Sequence, residues 1–163
     1  MSSQSDVKIR PAGPTDIPLV LYFVRALAEY ERLADHVVAD EATLARSLFG
    51  PRPYAECILA HVDDAPAGFA VYFHNFSTFA GRPGLYLEDI FVEPKFRRHR
   101  VGLALFRALS QIALERDCAH LQWSVLDWNE LAIGFYKKLG ATFLSEWKTM
   151  RLGREHVERL ASS

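Results

Sequence analysis

The apolar positions of this chain recur with two different periods, and each change of period marks a new element. Val7-Lys8-Ile9-Arg10 alternates and is stopped by Pro11, which predicts a short strand. Leu19, Val20, Phe23, Leu27 and Tyr30 then recur at helical spacing and predict a helix over 16–31. Thr15 and Asp16 offer N-cap oxygens, and Pro18 is tolerated in a first turn. A second helix, 41–48, opens after Asp40 and ends at Gly50-Pro51. Two apolar runs, 57–62 and 67–74, flank Asp63-Asp64 and predict a hairpin. A loop of small residues, 77–84, leads to a nearly continuous apolar run, 85–92, broken by two adjacent acids, Glu88 and Asp89. That run reads as a central strand, and Pro94 forbids its continuation. A cationic loop, 96–100, precedes a helix over 101–116 with Leu105, Leu109 and Ile112 on one face. A strand over 120–125 and a helix over 129–139, closed by Gly140 at its C′ position, follow. Residues 141–152 read as strand-rich with a break near Glu146, and 153–160 as a terminal helix or a frayed tail. The order is β-α-α-β-β-β-α-β-α-β-β. It predicts an α+β fold with a mixed sheet, an antiparallel meander first and crossover connections later.

Composition narrows the picture. A length of 163 residues predicts one domain, 1–163, with flexible tails at 1–6 and 161–163. Lys and Arg number 19 against 20 Asp and Glu, and this balance excludes the dominant basic surface of a nucleic-acid binder. The longest mainly apolar stretch, 17–27, contains Pro18 and Arg25 and is too short to cross a bilayer. With a polar N-terminus, no membrane association is expected and the cytoplasm is the expected location. Cys57 and Cys118 are too few for a disulfide scaffold and read as reduced, buried thiols. His36, His61, His74, His99, His120 and His156 lack metal-ligand spacing, so no metal is expected.

The loop between the central strand and the long helix carries the first candidate chemistry. Phe91 to Gly102 joins a buried strand to a helix start, where backbone N–H groups lack intrahelical partners and favour an anion. Lys95, Arg97, Arg98 and Arg100 add positive charge. Taken alone, Arg97-Arg98-His99-Arg100 fits a solvated basic turn equally well. The segment resembles motif A of the GNAT acetyltransferases, Arg/Gln-x-x-Gly-x-Gly/Ala at a strand–helix junction. Arg97 and Gly102 match, and Arg100 stands where the first glycine is expected. The resemblance runs from Ile9 to about Trp147. It includes Ile9-Arg10-Pro11-Ala12, Ala28-Glu29-Tyr30-Glu31, Tyr86 to Val92, Trp128-Asn129 and Phe135 to Ala141. The Leu-Glu-Asp strand and the Trp-Asn-Glu turn resemble the diamine (spermidine/spermine) and thialysine branch.

This resemblance implies a GNAT fold, a mixed and mostly antiparallel sheet flanked by helices. It also implies acetyl-CoA as co-substrate and a homodimer, since related enzymes borrow cleft residues from a partner subunit. Phe91, Val92, Arg97, Arg98, His99, Arg100, Val101, Gly102, Leu103, Asn129, Tyr136 and Lys138 would bind the cofactor. Tyr136 would donate a proton to the departing thiolate; a phenol suits, with a reference pKa of ~10. Outside that signature Tyr136 would read as a core aromatic beside Phe135.

The acceptor imposes its own demand. An alkyl amine with a pKa of ~10.4 is protonated at neutral pH and must lose a proton before it attacks. Glu88 and Asp89 point to opposite faces of a strand, so only one faces a given cleft. Related enzymes place the glutamate near the amine, which makes Glu88 the expected proton relay and Asp89 an orienting or structural group. A backbone N–H near Phe91 would stabilise the oxyanion. Glu31, Glu146 and Trp147 match amine-site positions of the diamine branch, although Glu31 also fits a helix surface and Trp147 a strand face. The polyamine enzymes carry a further acid before the central strand, where Thr78 stands here. This favours a short amine or thialysine over spermine. Two alternatives remain on the same fold: a protein or peptide N-acetyltransferase, and a non-catalytic acyl-CoA sensor.

Overall fold

A computed structural model describes residues 6–163; the expected N-terminal tail lies, for residues 1–5, outside them. The chain divides into two compact units, one ending at Ser124 and the other spanning Val125–Ser163.

The first unit is built on a five-stranded sheet in the order β1-β2-β3-β4-β5. Its strands are β1 (Val7–Pro11), β2 (Glu56–Val62), β3 (Ala65–Ser77), β4 (Arg82–Val92) and β5 (Leu121–Trp123). The first four pair antiparallel, whereas β5 lies parallel to β4. Helix α3 (Val101–Glu115) makes the crossover between β4 and β5. Helices α1 (Ile17–Tyr30) and α2 (Glu41–Phe49) are inserted between β1 and β2. This is the expected α+β arrangement of an antiparallel meander followed by a crossover.

Helix α1 buries Ile17, Val20, Phe23 and Leu27 against Leu48 of α2 and against Cys57, Leu59, Phe69 and Phe91 of the sheet. Phe23 and Phe69 stack with centroids 5.3 Å apart. Each large apolar side chain removed from water contributes ~1.5–3 kcal/mol, so this face fixes α1 over β2, β3 and β4. Asp16 precedes α1, but its carboxylate does not cap it. It accepts from both terminal nitrogens of Arg10, at 2.7 and 2.8 Å, and from the Gly13 N–H. The Arg10 guanidinium holds this carboxyl at about 2. On α3, Val101, Leu105, Phe106, Leu109 and Ala113 are buried. Arg116, just after α3, grips both oxygens of Glu56 at 2.5 and 2.8 Å, and its guanidinium lies 5.9 Å from the Tyr72 ring centre. The end of α3 is thereby tied to β2 and β3.

The β2–β3 hairpin turns at Asp63 and Asp64, both with positive φ, as a two-residue turn requires. The segment 77–84, expected as a loop, is instead half strand, with only 78–81 forming a turn. Ser77 pairs Arg82 and Phe76 pairs Pro83, leaving a short turn in which the Ala80 and Gly81 N–H groups bond to Ser77. Pro83 and Gly84 read locally as breakers, yet both sit in the ladder. Gly84 is needed there because a Cβ would collide with the Asn75 and His120 side chains.

The second unit carries α4 (Glu130–Lys138) and α5 (Arg154–Ala161). Between them, residues 141–152 form irregular backbone with one turn rather than the expected strands. Phe143, Leu144, Trp147, Met150 and Leu152 are all exposed, and an apolar alternation makes a strand only when a ladder partner accepts it. The terminal 153–160 segment resolves as helix, held by Arg154–Glu158 and Glu155–Arg159 pairs. Ala161 belongs to α5, and Ser162 bonds back to the Glu158 carbonyl. No helix among the described residues is long and apolar enough to cross a membrane.

Candidate active site

A β-bulge positions the acids of β4. Val71 pairs Asp89 while Tyr72 pairs Leu87, so Glu88 is the extra residue. A bulge re-aims the side chains around it and breaks the simple alternation. Glu88 emerges exposed, and Asp89 is half-buried two residues before Phe91, paired with Val71 on the α1 face. Glu31, which caps the C-terminal end of α1, is half-buried close to Asp89. Burial pushes the Asp89 carboxyl up to about 6, with the negative charges of Glu88 and Glu31 adding to the effect. Burial also raises Glu31. Among the described residues, no ion pair involves any of these three acids. Partly desolvated carboxylates without a counter-charge are costly, and an ammonium ligand would remove that cost. The structure thus leaves Asp89 under the charges of both Glu88, which is exposed, and Glu31, which is half-buried at the end of α1.

The pairing between β4 and β5 stops at Leu87 and Trp123, yet β4 continues to Val92. Among the described residues, 88–92 therefore have a strand partner on the β3 side alone. Phe91 itself is buried. Gly68 of β3 allows this stretch to lie flat, because a Cβ there would collide with the Phe91 carbonyl. Sequence reasoning missed Gly68; a glycine inside a strand was the available signal of close backbone approach.

The cationic loop is a 3₁₀ turn, Pro94–His99, running straight into α3. The first α3 backbone bond is Ala104 N–H to the Arg100 carbonyl, at 3.0 Å. The Val101, Gly102 and Leu103 N–H groups precede it and are the donors that a helix start offers an anion. Arg97, Arg98, His99 and Arg100 are exposed around them. Arg97 donates from Nε to the Val92 carbonyl and lies 4.9 Å from the Tyr30 ring centre. Arg100 adopts φ 59, ψ 21, the left-handed region that the expected glycine would favour. A side chain there costs roughly 1–2 kcal/mol. We expect Arg100→Gly to raise unfolding stability by about 1 kcal/mol in urea titration, and Arg100→Ala, which keeps a Cβ, to gain nothing.

In the second unit, Asn129 is buried and its side-chain oxygen accepts from Ala132 N–H at 3.3 Å, capping α4. At the other end Gly140 has φ 92; Ala141 N–H bonds to the Tyr136 carbonyl and Gly140 N–H to that of Lys137. These are the two bonds of a Schellman motif, so both ends of α4 are defined by side-chain or glycine chemistry. Tyr136 lies on its last turn, half-buried, with its ring 5.7 Å from that of Phe135. Lys138 ends α4, and Glu146 and Trp147 lie in the exposed turn that follows. No group of three or more His, Cys, Asp or Glu side chains among the described residues could hold a metal ion.

The model of the Acetyltransferase (GNAT) family matches residues 23–141, and the chain belongs to that family. It is 37% identical to a thialysine N-epsilon-acetyltransferase of Bos taurus, over 95% of this chain and 97% of the relative. It is 30% identical to an L-ornithine N5-acetyltransferase of Arabidopsis thaliana, over 94% and 87% respectively. Among solved structures it resembles an integron cassette protein from the mobile metagenome of V. cholerae, with TM-score 0.79, 29% identity and coverage of 96% and 98%. The chain is an N-acetyltransferase of the GNAT fold, and within the family its similarity lies with the thialysine and spermidine/spermine-like enzymes.

Proposed function

We propose that the chain transfers an acetyl group from acetyl-CoA directly to the terminal primary amine of a small acceptor, a thialysine- or ornithine-like amino acid or a short diamine. The observation that carries this reading is the pair of partly buried acids, Glu31 and Asp89, without a counter-cation beside the stretch of β4 beyond its pairing with β5. Acetyl-CoA supplies the acyl group and a thiolate leaving group. The anion-receptive start of α3 fits its phosphates, with the Val101, Gly102 and Leu103 amides and Arg97, Arg98, His99 and Arg100 as the groups that would hold them. Asp89 and Glu31 bind the acceptor as an ammonium, and Asp89, poised at about 6, takes up its proton. Exposed Glu88 passes that proton to water. The open N–H groups near Phe91 stabilise negative charge at the carbonyl oxygen. Tyr136 returns a proton to the thiolate, with Asn129 fixing the start of its helix. We take the two units to form one catalytic domain, and the protein to be a cytoplasmic homodimer. In the second unit, the exposed Phe143, Leu144, Trp147 and Met150 suit coverage by a partner subunit.

The names of the relatives support the amine class, and Thr78 in place of an acid supports a short acceptor. Thiol release with thialysine, ornithine, putrescine, spermine and a lysine peptide tests the reading. The expected result is kcat/KM highest for thialysine, ornithine or putrescine and at least tenfold lower for spermine, about 1.4 kcal/mol of discrimination. Equal or reversed values would overturn the short-acceptor assignment. Turnover of the peptide alone would establish a protein acetyltransferase instead, and CoA binding without turnover of any amine would make the chain a sensor.

A further inference from the structure

Helix α1 is clasped to the turn proposed to hold the cofactor at two places, two helical turns apart. At the first, the Tyr22 hydroxyl donates to Glu93 Oε1 at 2.5 Å. Glu93 is the residue between β4 and the Pro94–His99 turn, and its own N–H bonds to the Ala67 carbonyl. At the second, the Arg97 guanidinium lies over the Tyr30 ring while its Nε donates to the Val92 carbonyl. Tyr30 is the last residue of α1, and Glu31 follows it directly. Glu31 in turn lies close enough to Asp89 for the two charges to interact. Arg97 lies over the Tyr30 ring, Glu31 follows Tyr30 in the chain, and the charge of Glu31 acts on Asp89, so the basic turn is linked to the acids through the last turn of α1.

The two ends of this link face different substrates in the reading proposed above, on which the inference rests. Arg97 stands in the turn assigned to phosphate, and Glu31 in the pair assigned to ammonium. The end of a helix frays more readily than its middle. Glu31 is held from one side by α1 and followed by Arg32 in the left-handed conformation, so its position depends on the last turn of α1. A guanidinium fixed by phosphate fixes the ring on which it lies, and the ring fixes that last turn. We propose that the Arg97–Tyr30 stack couples the two substrates, so that occupation of the cofactor turn orders Glu31 and each substrate tightens the binding of the other. Tyr30 acts here as a positioning residue, through Arg97 and Glu31.

The coupling must be reciprocal, because it is a free energy shared between two binding events. An exposed cation–π contact of ~0.5–1 kcal/mol sets its expected size at about two- to fivefold. The test is calorimetric titration of CoA into the full chain, with and without saturating thialysine. Wild type should bind CoA about threefold more tightly when thialysine is present. Tyr30→Phe keeps the ring and should keep the factor. Tyr30→Leu should bring it to one, and so should Arg97→Gln on its exposed turn, whose substitution leaves the α1 core untouched. A merely structural Tyr30 would change both affinities together and leave their ratio alone. CoA binding with no change on adding thialysine, or an unchanged factor in Tyr30→Leu and Arg97→Gln, overturns the coupling and spares the proposed function. Failure of wild type to bind CoA at all overturns both.

Discussion

Asp89→Asn should make the protein more stable and nearly inactive at the same pH. The carboxyl lies at about 6 because burial and the charges of Glu88 and Glu31 disfavour its ionised form. An ordinary aspartate titrates at ~3.9, so the native state holds this proton to a higher pH than the unfolded chain does. With respect to this group, stability is greatest below about pH 4, falls as the pH rises toward 6, and stays lowered above it. The full difference corresponds to roughly 3 kcal/mol, and the residual solvent at Asp89 reduces it to ~1–3 kcal/mol. An isosteric amide lacks the penalty. At pH 7.5, Asp89→Asn should therefore unfold several degrees higher than wild type, and the gap should close by pH 4. Activity should move the other way. The acceptor needs an ionised carboxylate to hold and deprotonate it, so wild-type kcat/KM for the amine should climb through pH 6. Asp89→Asn should lose ~10²-fold or more and also lose that acid limb. Glu88→Gln, changing an exposed side chain, should cost far less. If instead Glu88→Gln removes the limb and Asp89→Asn retains it, the relay is Glu88, as the family resemblance implies.

The choice between Glu88 and Asp89 as relay marks where the sequence stops being legible. The run from Leu85 to Val92 announces a central strand with two acids, but a bulge is a property of two strands in register, and nothing local to Glu88 signals it. Simple alternation does not carry through the bulge, and it does not say which of the two acids faces α1. Glu31 is legible as an acid at a helix end, and only the packing of α1 over β4 lets its charge act on Asp89. Signals carried by a single turn are legible. Asp63-Asp64 turns the hairpin, Gly140 closes α4, and Arg100 at a glycine position does take the left-handed conformation. Signals that need a partner strand are not. Pro83 and Gly84 looked like a loop and are strand because β3 continues beside them. Residues 141–152 looked like strands and are not, because their alternation finds no ladder. The Tyr30–Arg97 stack joins residues 67 positions apart, and no spacing rule connects them.

Tyr136→Phe should lower kcat by ~10²–10⁴-fold while leaving CoA affinity within about twofold, a split that assigns the lost oxygen to the chemical step. Phe removes one atom and keeps the ring that lies 5.7 Å from Phe135, so the packing of α4 is preserved. The backbone of residue 136 is held independently, since its carbonyl accepts from the Leu139 and Ala141 N–H groups at 3.0 and 3.1 Å whatever the side chain. Unfolding temperature should accordingly stay near the wild-type value. Asn129→Ala separates the hydroxyl from the helix that carries it. Losing the cap oxygen costs ~1 kcal/mol of helix stability and loosens the first turn of α4 without touching the phenol. Its effect should appear as a lower unfolding temperature and a moderate fall in kcat/KM, with the pH dependence of kcat unchanged. Tyr136→Phe, by contrast, should remove the alkaline decline in kcat that an essential phenol produces when it ionises. Full turnover in Tyr136→Phe with the alkaline limb intact would hand the final protonation to water and leave Tyr136 a packing residue of α4.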